Sequence, residues 1–288
     1  MTMNQRTQAI SHLTPERVRI NALNPTRLSQ FYQDVIGLDL ISEQDNHISL
    51  GIKADNAVLL EIYPSTTDRE TRTTGLFHMA FLLPTRKALA DSLLHLITVK
   101  APLQGASDHG YSEALYLADP EGNGIEIYWD KDQSVWDKRP DGFIEGITIE
   151  IDADGLLALA SDGFQGFPSG TKIGHVHLSV KDLVSTEKFY HQLLGLGVRS
   201  DYQGQALFLA SGDYHHHLGA NIWAGRNLPA PKDDQIGLNA VIWTTPHQAD
   251  LDTIEANLKT AGASYHREAN HIKTHDYSGL ALEIHHKA

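Results

Sequence analysis

Histidine is the residue type that stands out in this chain. There are 17 histidines and no cysteine. Disulfides and thiolate ligands are therefore excluded, and a metal site would have to be built from imidazole and carboxylate. Those ligand types together suit Fe(II). Most of the histidines, His12, His95, His191 and His266 among them, read as surface residues. A few sit in patterns that invite chemistry. His78 lies inside the apolar stretch Phe77-His78-Met79-Ala80-Phe81. His175 and His177 are two apart in an alternating stretch, so they share one strand face. Glu126 stands between Ile125 and Ile127, where a carboxylate is costly to bury unless it is paired or metal-bound. His215-His216-His217 is an unusual run in a segment that reads as a strand. His285 and His286 continue the last strand and are assigned no role.

The elements that must position these residues come from an internal repeat. Arg17-Val18-Arg19-Ile20 leads to Phe31-Tyr32 and then Gly37-Leu38, and His175-Val176-His177-Leu178 leads to Phe189-Tyr190 and then Gly195-Leu196. In both, a short alternating strand precedes a helix that ends at a glycine suited to a left-handed cap. A second pair follows. Phe77 to Pro84 precedes a helix over Arg86–Leu96, and Asn239 to Pro246 precedes one over Leu251–Ala261. Each of these units closes with a turn and a strand, Asp119-Pro120-Glu121-Gly122-Asn123 before Ile125-Glu126-Ile127, and Asp276-Tyr277-Ser278-Gly279 before Leu282-Glu283-Ile284. The chain thus reads as four βαβββ modules near 15–64, 73–130, 173–224 and 235–287, an α+β protein whose sheets form two curved mixed half-barrels. The expected organisation is a polar tail at 1–14, a first two-module domain at 15–130, a connector rich in Asp and Gly at 131–172, and a second two-module domain at 173–288.

A length of 288 residues agrees with about two domains. With 41% hydrophobic and 20% charged residues the chain can bury a real core. Its net charge of -13 disfavours nucleic acid and anionic membrane as partners, because an acidic surface gains no counterion release. No apolar run reaches the roughly 18 residues needed to span a bilayer, and the first 14 residues lack the apolar core of a signal peptide. Cytoplasm is the expected compartment. A homo-oligomer is compatible with paired modules.

The strand followed by Phe-Tyr-x-x-x-x-Gly-Leu, present twice, and Asp-Pro-x-Gly-Asn-x-x-Glu near a module end resemble the vicinal oxygen chelate superfamily of glyoxalases, resistance proteins and extradiol dioxygenases. The resemblance spans nearly the whole chain outside the connector. A narrower motif resembles the extradiol dioxygenase signature: His109, then Leu115-Tyr116, then Asp119-Pro120-Glu121-Gly122, then Glu126. Ser107 departs from that signature ahead of the histidine. Gly75-Leu76-Phe77-His78 and Tyr214-His215-His216-His217 are similar to segments of two-domain catechol 2,3-dioxygenases of Gram-positive bacteria. The resemblance implies an enzyme that cleaves a small aromatic diol with O2 at non-heme Fe(II), with Mn(II) able to use the same ligands. It implies His78, Glu126 and His175 as metal ligands, and His109, Tyr116 and His216 as groups that handle protons on the substrate. His177, His215 and His217 fall in the pocket or behind the ligands.

Two other readings exist. A glyoxalase-type lyase would use Zn(II) or Ni(II) and a ligand on each of four equivalent strand positions, a pattern with no place for His109 and Tyr116. A metal-free binding or resistance protein leaves the histidines and Glu126 unexplained. A census of equivalent positions also predicts which modules share a sheet. Module one has Arg17 where module three has His175, and module four has Ala240 where module two has His78. A complete two-His, one-carboxylate set therefore requires modules two and three to join. Modules one and four would then form a second cup closed by an ion pair of Arg17, Glu61 and Glu283. The alternative is sequential pairing of the modules.

Overall fold

The computed structural model describes residue 10 and residues 12–44, 47–70 and 72–287. Module one comprises β1 (Thr14–Ala22), α1 (Pro25–Phe31), β2 (Asp39–Gln44), β3 (His47–Ile52) and β4 (Ala57–Pro64). Module two comprises β5 (Gly75–Leu82), α2 (Arg86–Thr98), β6 (Gly105–Asp108), β7 (Ser112–Ala118) and β8 (Gly124–Asp130). The connector carries β9 (Asp137–Lys138), β10 (Ile144–Glu145), β11 (Ile149–Glu150) and α3 (Ala153–Leu157). Module three comprises β12 (Lys172–Ser179), α4 (Leu183–Glu187), β13 (Gly197–Tyr202), β14 (Ala206–Ala210) and β15 (Leu218–Asn221). Module four comprises β16 (Gly237–Thr245), α5 (Gln248–Ala261), β17 (Tyr265–Glu268), β18 (His271–His275) and β19 (Ala281–His286). Most of the expected 1–14 tail lies outside the described residues, but Ile10 and Leu13 are buried. No helix among the described residues is long and apolar enough to cross a membrane.

Side-chain caps set where three of the helices begin. Asn24, Thr85 and Asp182 each accept a hydrogen bond from the backbone N–H three residues on, which satisfies an otherwise orphaned donor. The helices of modules one and three do not end as simple α-helices. Both widen into a π-helical turn, Tyr32–Ile36 and Lys188–Leu193. In module one the N–H groups of Gly37 and Leu38 both donate to the Tyr32 carbonyl, at 3.0 and 2.9 Å. A one-residue widening leaves the hydrophobic period almost unchanged, so the sequence does not announce it. Gly37 takes the expected left-handed φ, +99°, a conformation that costs glycine little.

Two sheets result. One runs β17-β18-β19-β16-β1-β4-β3-β2 and the other β11-β6-β7-β8-β5-β12-β15-β14-β13. Each is centred on an antiparallel pair of first strands, β1 with β16 and β5 with β12, flanked by parallel partners β4, β19, β8 and β15. Bulges interrupt the register of both central pairs, which bends the strands as a half-barrel requires. The fold is the α+β arrangement of half-barrels expected from the repeat. Segments 15–130 and 173–288 each give one module to either sheet, so neither builds a half-barrel by itself: module two pairs with three and module four with one.

A continuous apolar core joins the helices to both sheets, with Ile20, Leu60, Phe81, Leu89, Tyr190, Trp243 and Ile254 among its members. The module-ending turns tie into it. The Tyr32 hydroxyl donates to Asp119 at 2.9 Å, and the Tyr190 hydroxyl donates to Asp276 at 3.2 Å. Each of these carboxylates also accepts two backbone N–H groups of its own turn, from Glu121 and Asn123 or from Ser278 and Leu280. These bonds link module one to two and three to four.

Candidate metal centre

Equivalent positions can be counted from the helix N-caps at Asn24, Thr85, Asp182 and His247. Seven residues before them, in the first strand of each module, stand Arg17, His78, His175 and Ala240. Two residues further on, and so on the same strand face, stand Arg19, Ala80, His177 and Ile242. The parallel partners of this second set are Glu61, Glu126, Gly219 and Glu283. The second sheet therefore holds two histidines, one glutamate and one glycine where four ligands could stand.

Register brings them together. Tyr116, Glu126, Ala80 and His175 form one rung across β7, β8, β5 and β12. Ala80 contributes only a methyl group, which leaves room above it. His78, two residues earlier on the same face, leans over that space. The His78 and His175 Nε2 atoms lie 3.0 and 3.1 Å from the same Glu126 oxygen and 3.3 Å from each other. All three residues are buried, and among the described residues they are the single cluster of this kind. Ligand atoms about 2.1 Å from a metal at mutual right angles are separated by about 3.0 Å, so the spacing fits one face of an octahedral ion. Two imidazole nitrogens turned on one carboxylate oxygen in a dry site also make a donor set that a divalent cation satisfies, while Nδ1 of His175 is buried without a partner. Burial alone would raise the Glu126 carboxyl, but the charge and hydrogen bonds of His175 and His78 hold it well below the usual range. Burial holds His175 below the ordinary imidazole value despite Glu126. A carboxylate and neutral imidazoles are what a metal needs.

Tyr116 shares the rung, and its hydroxyl lies 2.7 Å from His109 Nε2. The His109 Nδ1–H donates to the Ile147 carbonyl at 2.9 Å. With that proton fixed, Nε2 of a neutral His109 must accept, and Tyr116 donates to it. Burial, then the negative Glu126, hold the Tyr116 phenol well above its ordinary value.

The His215–His217 run does not lie in a strand, contrary to expectation. β15 begins only at Leu218, and of the three only His217 joins the sheet ladder, donating its N–H to Leu209 and accepting from Val176. Strand alternation therefore does not sort these side chains. His216 packs against His175 with ring centroids 4.2 Å apart, and burial keeps its imidazole well below the ordinary range. The His215 Nδ1 meets His216 Nδ1 at 2.8 Å and its Nε2 meets Asp130 at 2.9 Å. His217 turns away, stacks on Tyr214 and accepts from the Ser211 N–H; burial pushes it down to about 3. His177 is cross-strand partner of His78 and stays outside the three-residue cluster. Its ring lies over Gly219, where a Cβ would come within 2.8 Å of it. Phe77, Phe208 and Trp223 surround it.

Sequence reasoning missed Tyr128 and Asp130, although both follow Glu126 at strand period two and share its face. It also missed the connector. Ile147 fixes the His109 tautomer, and Trp136 packs edge-on against His215 at 5.2 Å. No periodic signal marks these residues.

The family model described as the glyoxalase/bleomycin resistance protein/dioxygenase superfamily matches residues 10–127 and 172–282. The chain belongs to this superfamily. Within it, the chain is 39% identical over 270 residues to the catechol-2,3-dioxygenase of Bacillus subtilis (strain 168), covering 92% of this chain and 94% of that protein. It is 31% identical over 110 residues to biphenyl-2,3-diol 1,2-dioxygenase 3 of Rhodococcus globerulus, covering 36% of this chain and 56% of that one. The resemblance drawn from the motifs is thus borne out. The superfamily fold is shared with glyoxalase I of Zea mays, with a TM-score of 0.60 at 13% identity over 95% of this chain and 92% of that one. It is shared too with the cppA protein of Streptococcus pneumoniae, with a TM-score of 0.58 at 12% identity over 97% of this chain and 99% of that one.

Proposed function

We propose that this chain, an enzyme of the extradiol dioxygenase class, opens the ring of a small catechol with O2 at a mononuclear Fe(II) held by His78, Glu126 and His175. Mn(II) fits the same donors. The observation that carries the reading is the triangle of ligand atoms, with edges of 3.0, 3.1 and 3.3 Å, on the rung that also bears Tyr116. When bound, the divalent ion would acidify the diol and connect it electronically to O2. The protein's own part is to move protons and to shape the cup. His109 Nε2 is the acceptor next to Tyr116, and its basic direction is fixed by Ile147. The Tyr116 hydroxyl can pass its proton to His109 while taking one from the substrate. His216, packed on His175, offers a second imidazole beside the ligands. The wall of Phe77, Phe208 and Trp223 around His177 favours an apolar ring substituent over a carboxylated one. The partners in this reading are a small aromatic diol and O2, in the cytoplasm.

The glyoxalase-type alternative asks for a ligand at all four equivalent positions. Gly219 has no side chain to give, and the His177 ring occupies the space. The test is anaerobic loading with Fe(II), followed by O2 uptake and the yellow product of catechol cleavage. About one metal per chain and catechol-dependent O2 consumption are expected. An iron-loaded protein that cleaves none of a panel of simple catechols overturns the reading.

A further inference from the structure

Behind His216 runs a chain of hydrogen bonds that ends on a carboxylate. One oxygen of Asp130 lies 2.9 Å from His215 Nε2, and the other accepts from the Tyr214 hydroxyl at 2.8 Å. Both oxygens are thus engaged. The Tyr128 hydroxyl lies 2.8 Å from that of Tyr214 and, because Tyr214 donates to Asp130, supplies the proton of that bond. His215 is fully enclosed: Tyr111 stacks on it with centroids 4.3 Å apart and planes 13° from parallel, and Trp136 meets its edge. Its free nitrogen, Nδ1, faces His216 Nδ1 at 2.8 Å.

Proton counting fixes the order. An ionised Asp130 can only accept, so the neutral His215 ring carries its proton on Nε2. Its Nδ1 is then a lone pair. The bond to His216 forms only if His216 carries its proton on Nδ1. The Nε2 of His216 is left as a lone pair in the cup, on a ring packed against His175. We infer that Asp130 and His215 are positioning residues that hold His216 in the tautomer presenting a basic Nε2 to the reaction site. Asp130 shares the face of β8 with Glu126, four residues before it, so one strand supplies both the carboxylate at the ligand triangle and the carboxylate that orients the base. A carboxylate orients an imidazole in the same way in hydrolytic triads and around metal ligands, here with one more imidazole interposed.

This inference rests on the dioxygenase reading only for its consequence in turnover; the tautomer can be measured without it. In the full chain loaded with diamagnetic Zn(II), nitrogen-15 NMR of the histidine rings is expected to find the His216 proton on Nδ1, and Asp130→Asn to change that distribution. A wild-type protein with the proton on Nε2 overturns the inference whatever the enzyme does. In the iron-loaded enzyme, Asp130→Asn is expected to lower kcat for catechol about 10- to 100-fold, with KM and metal content unchanged. In a His216→Asn background the same change should cost less than about twofold, because a residue that acts through another has no effect once the other is gone. An equal loss in both backgrounds overturns the inference. If Asp130→Asn does not take up zinc, His215→Gln, which leaves Asp130 and Tyr214 paired, provides the same two readouts. A wild-type protein that cleaves no catechol defeats the reading of the site and leaves the NMR result to decide the tautomer.

Discussion

The two half-barrels carry equivalent module strands in the same order, with β11 of the connector added at the edge of one, yet their concave rungs have gone different ways. In the sheet of modules two and three, His78, His175 and Glu126 converge on one point, with their ligand atoms 3.0–3.3 Å apart. In the sheet of modules four and one, Glu283 and Glu61 occupy the positions equivalent to Glu126 and Gly219, respectively, and Arg19 fills the gap between them. Its guanidinium reaches Glu61 and Glu283 at 3.0 Å each. The expected ion pair named Arg17, which sits 3.6 Å from Glu61; the bridging cation is Arg19, two residues along the same face. Arginine has no lone pair for a metal, but it brings its own positive charge. One cup supplies its cation covalently; in the reading proposed above, the other takes a metal ion in the equivalent place.

The strongest way to break this comparison is to exchange carboxylates one at a time. Glu126→Gln or His78→Ala is expected to strip the metal, an effect beyond the roughly 10–100-fold of an outer partner, while Glu283→Gln keeps full metal content. Metal analysis after gel filtration checks it. Loss of metal in Glu283→Gln with retention in the first two would place the working site in the other sheet.

A smaller effect separates ligands from proton-handling groups. Tyr116→Phe and His109→Ala should retain about one metal per chain and slow turnover by about 10² to 10⁴-fold. Steady-state rates beside metal content decide this. If either variant loses its metal, the rung is divided wrongly between ligation and proton transfer.

The smallest effect belongs to the ionic cup. The hydrogen bond with His285, then Arg19 and Lys273 against the opposing cost of partial burial, hold the Glu283 carboxyl down to about 2. A folded pKa below the unfolded value contributes stability above about pH 4.5, and that contribution fades as pH falls toward 2. Glu283→Gln should therefore cost about 1–2 kcal/mol near neutrality, the scale of a partly exposed charged hydrogen bond. The gap to wild type should close on acidification. Denaturant unfolding at pH 7 and pH 3 measures it, and a gap that is unchanged or wider at pH 3 refutes the assignment.

Much of this contrast could be read from the chain before any coordinates. Arg17 against His175 and Ala240 against His78 already implied that modules two and three must share a sheet, because imidazole can ligate and guanidinium cannot. The spacing from His109 through Tyr116 to Glu126 picked out three residues that do meet: the register of β7 and β8 sets Tyr116 beside Glu126, and a hydrogen bond brings His109 to Tyr116. The rest was hidden for physical reasons. His215 and His216 lie outside the ladder, so period-two reasoning had no hold on them. Trp136 reaches the cup from the connector by packing on His215, and Ile147 by long-range hydrogen bonds to His109, neither of which has a periodic signal. The π-helical turns at Tyr32 and Lys188 change the hydrogen-bond partner without changing the pattern of buried residues.

The tyrosine–aspartate bonds from Tyr32 to Asp119 and from Tyr190 to Asp276 have a topological consequence. Modules one and two, and three and four, are joined by these bonds; two and three, and four and one, are joined by strand pairing. The modules thus close into a ring with no privileged first member. The described chain ends also meet at one end of the central strand pair, where the Lys287 N–H donates to Thr245 at 3.0 Å and Thr14 of β1 pairs with Thr244 of β16. A circular permutant opened between β4 and β5, with residue 287 linked to residue 14, would run two-three-four-one. Each half-barrel would then be a single uninterrupted stretch of sequence, while the shared core and the two tyrosine–aspartate bonds would still hold the halves together.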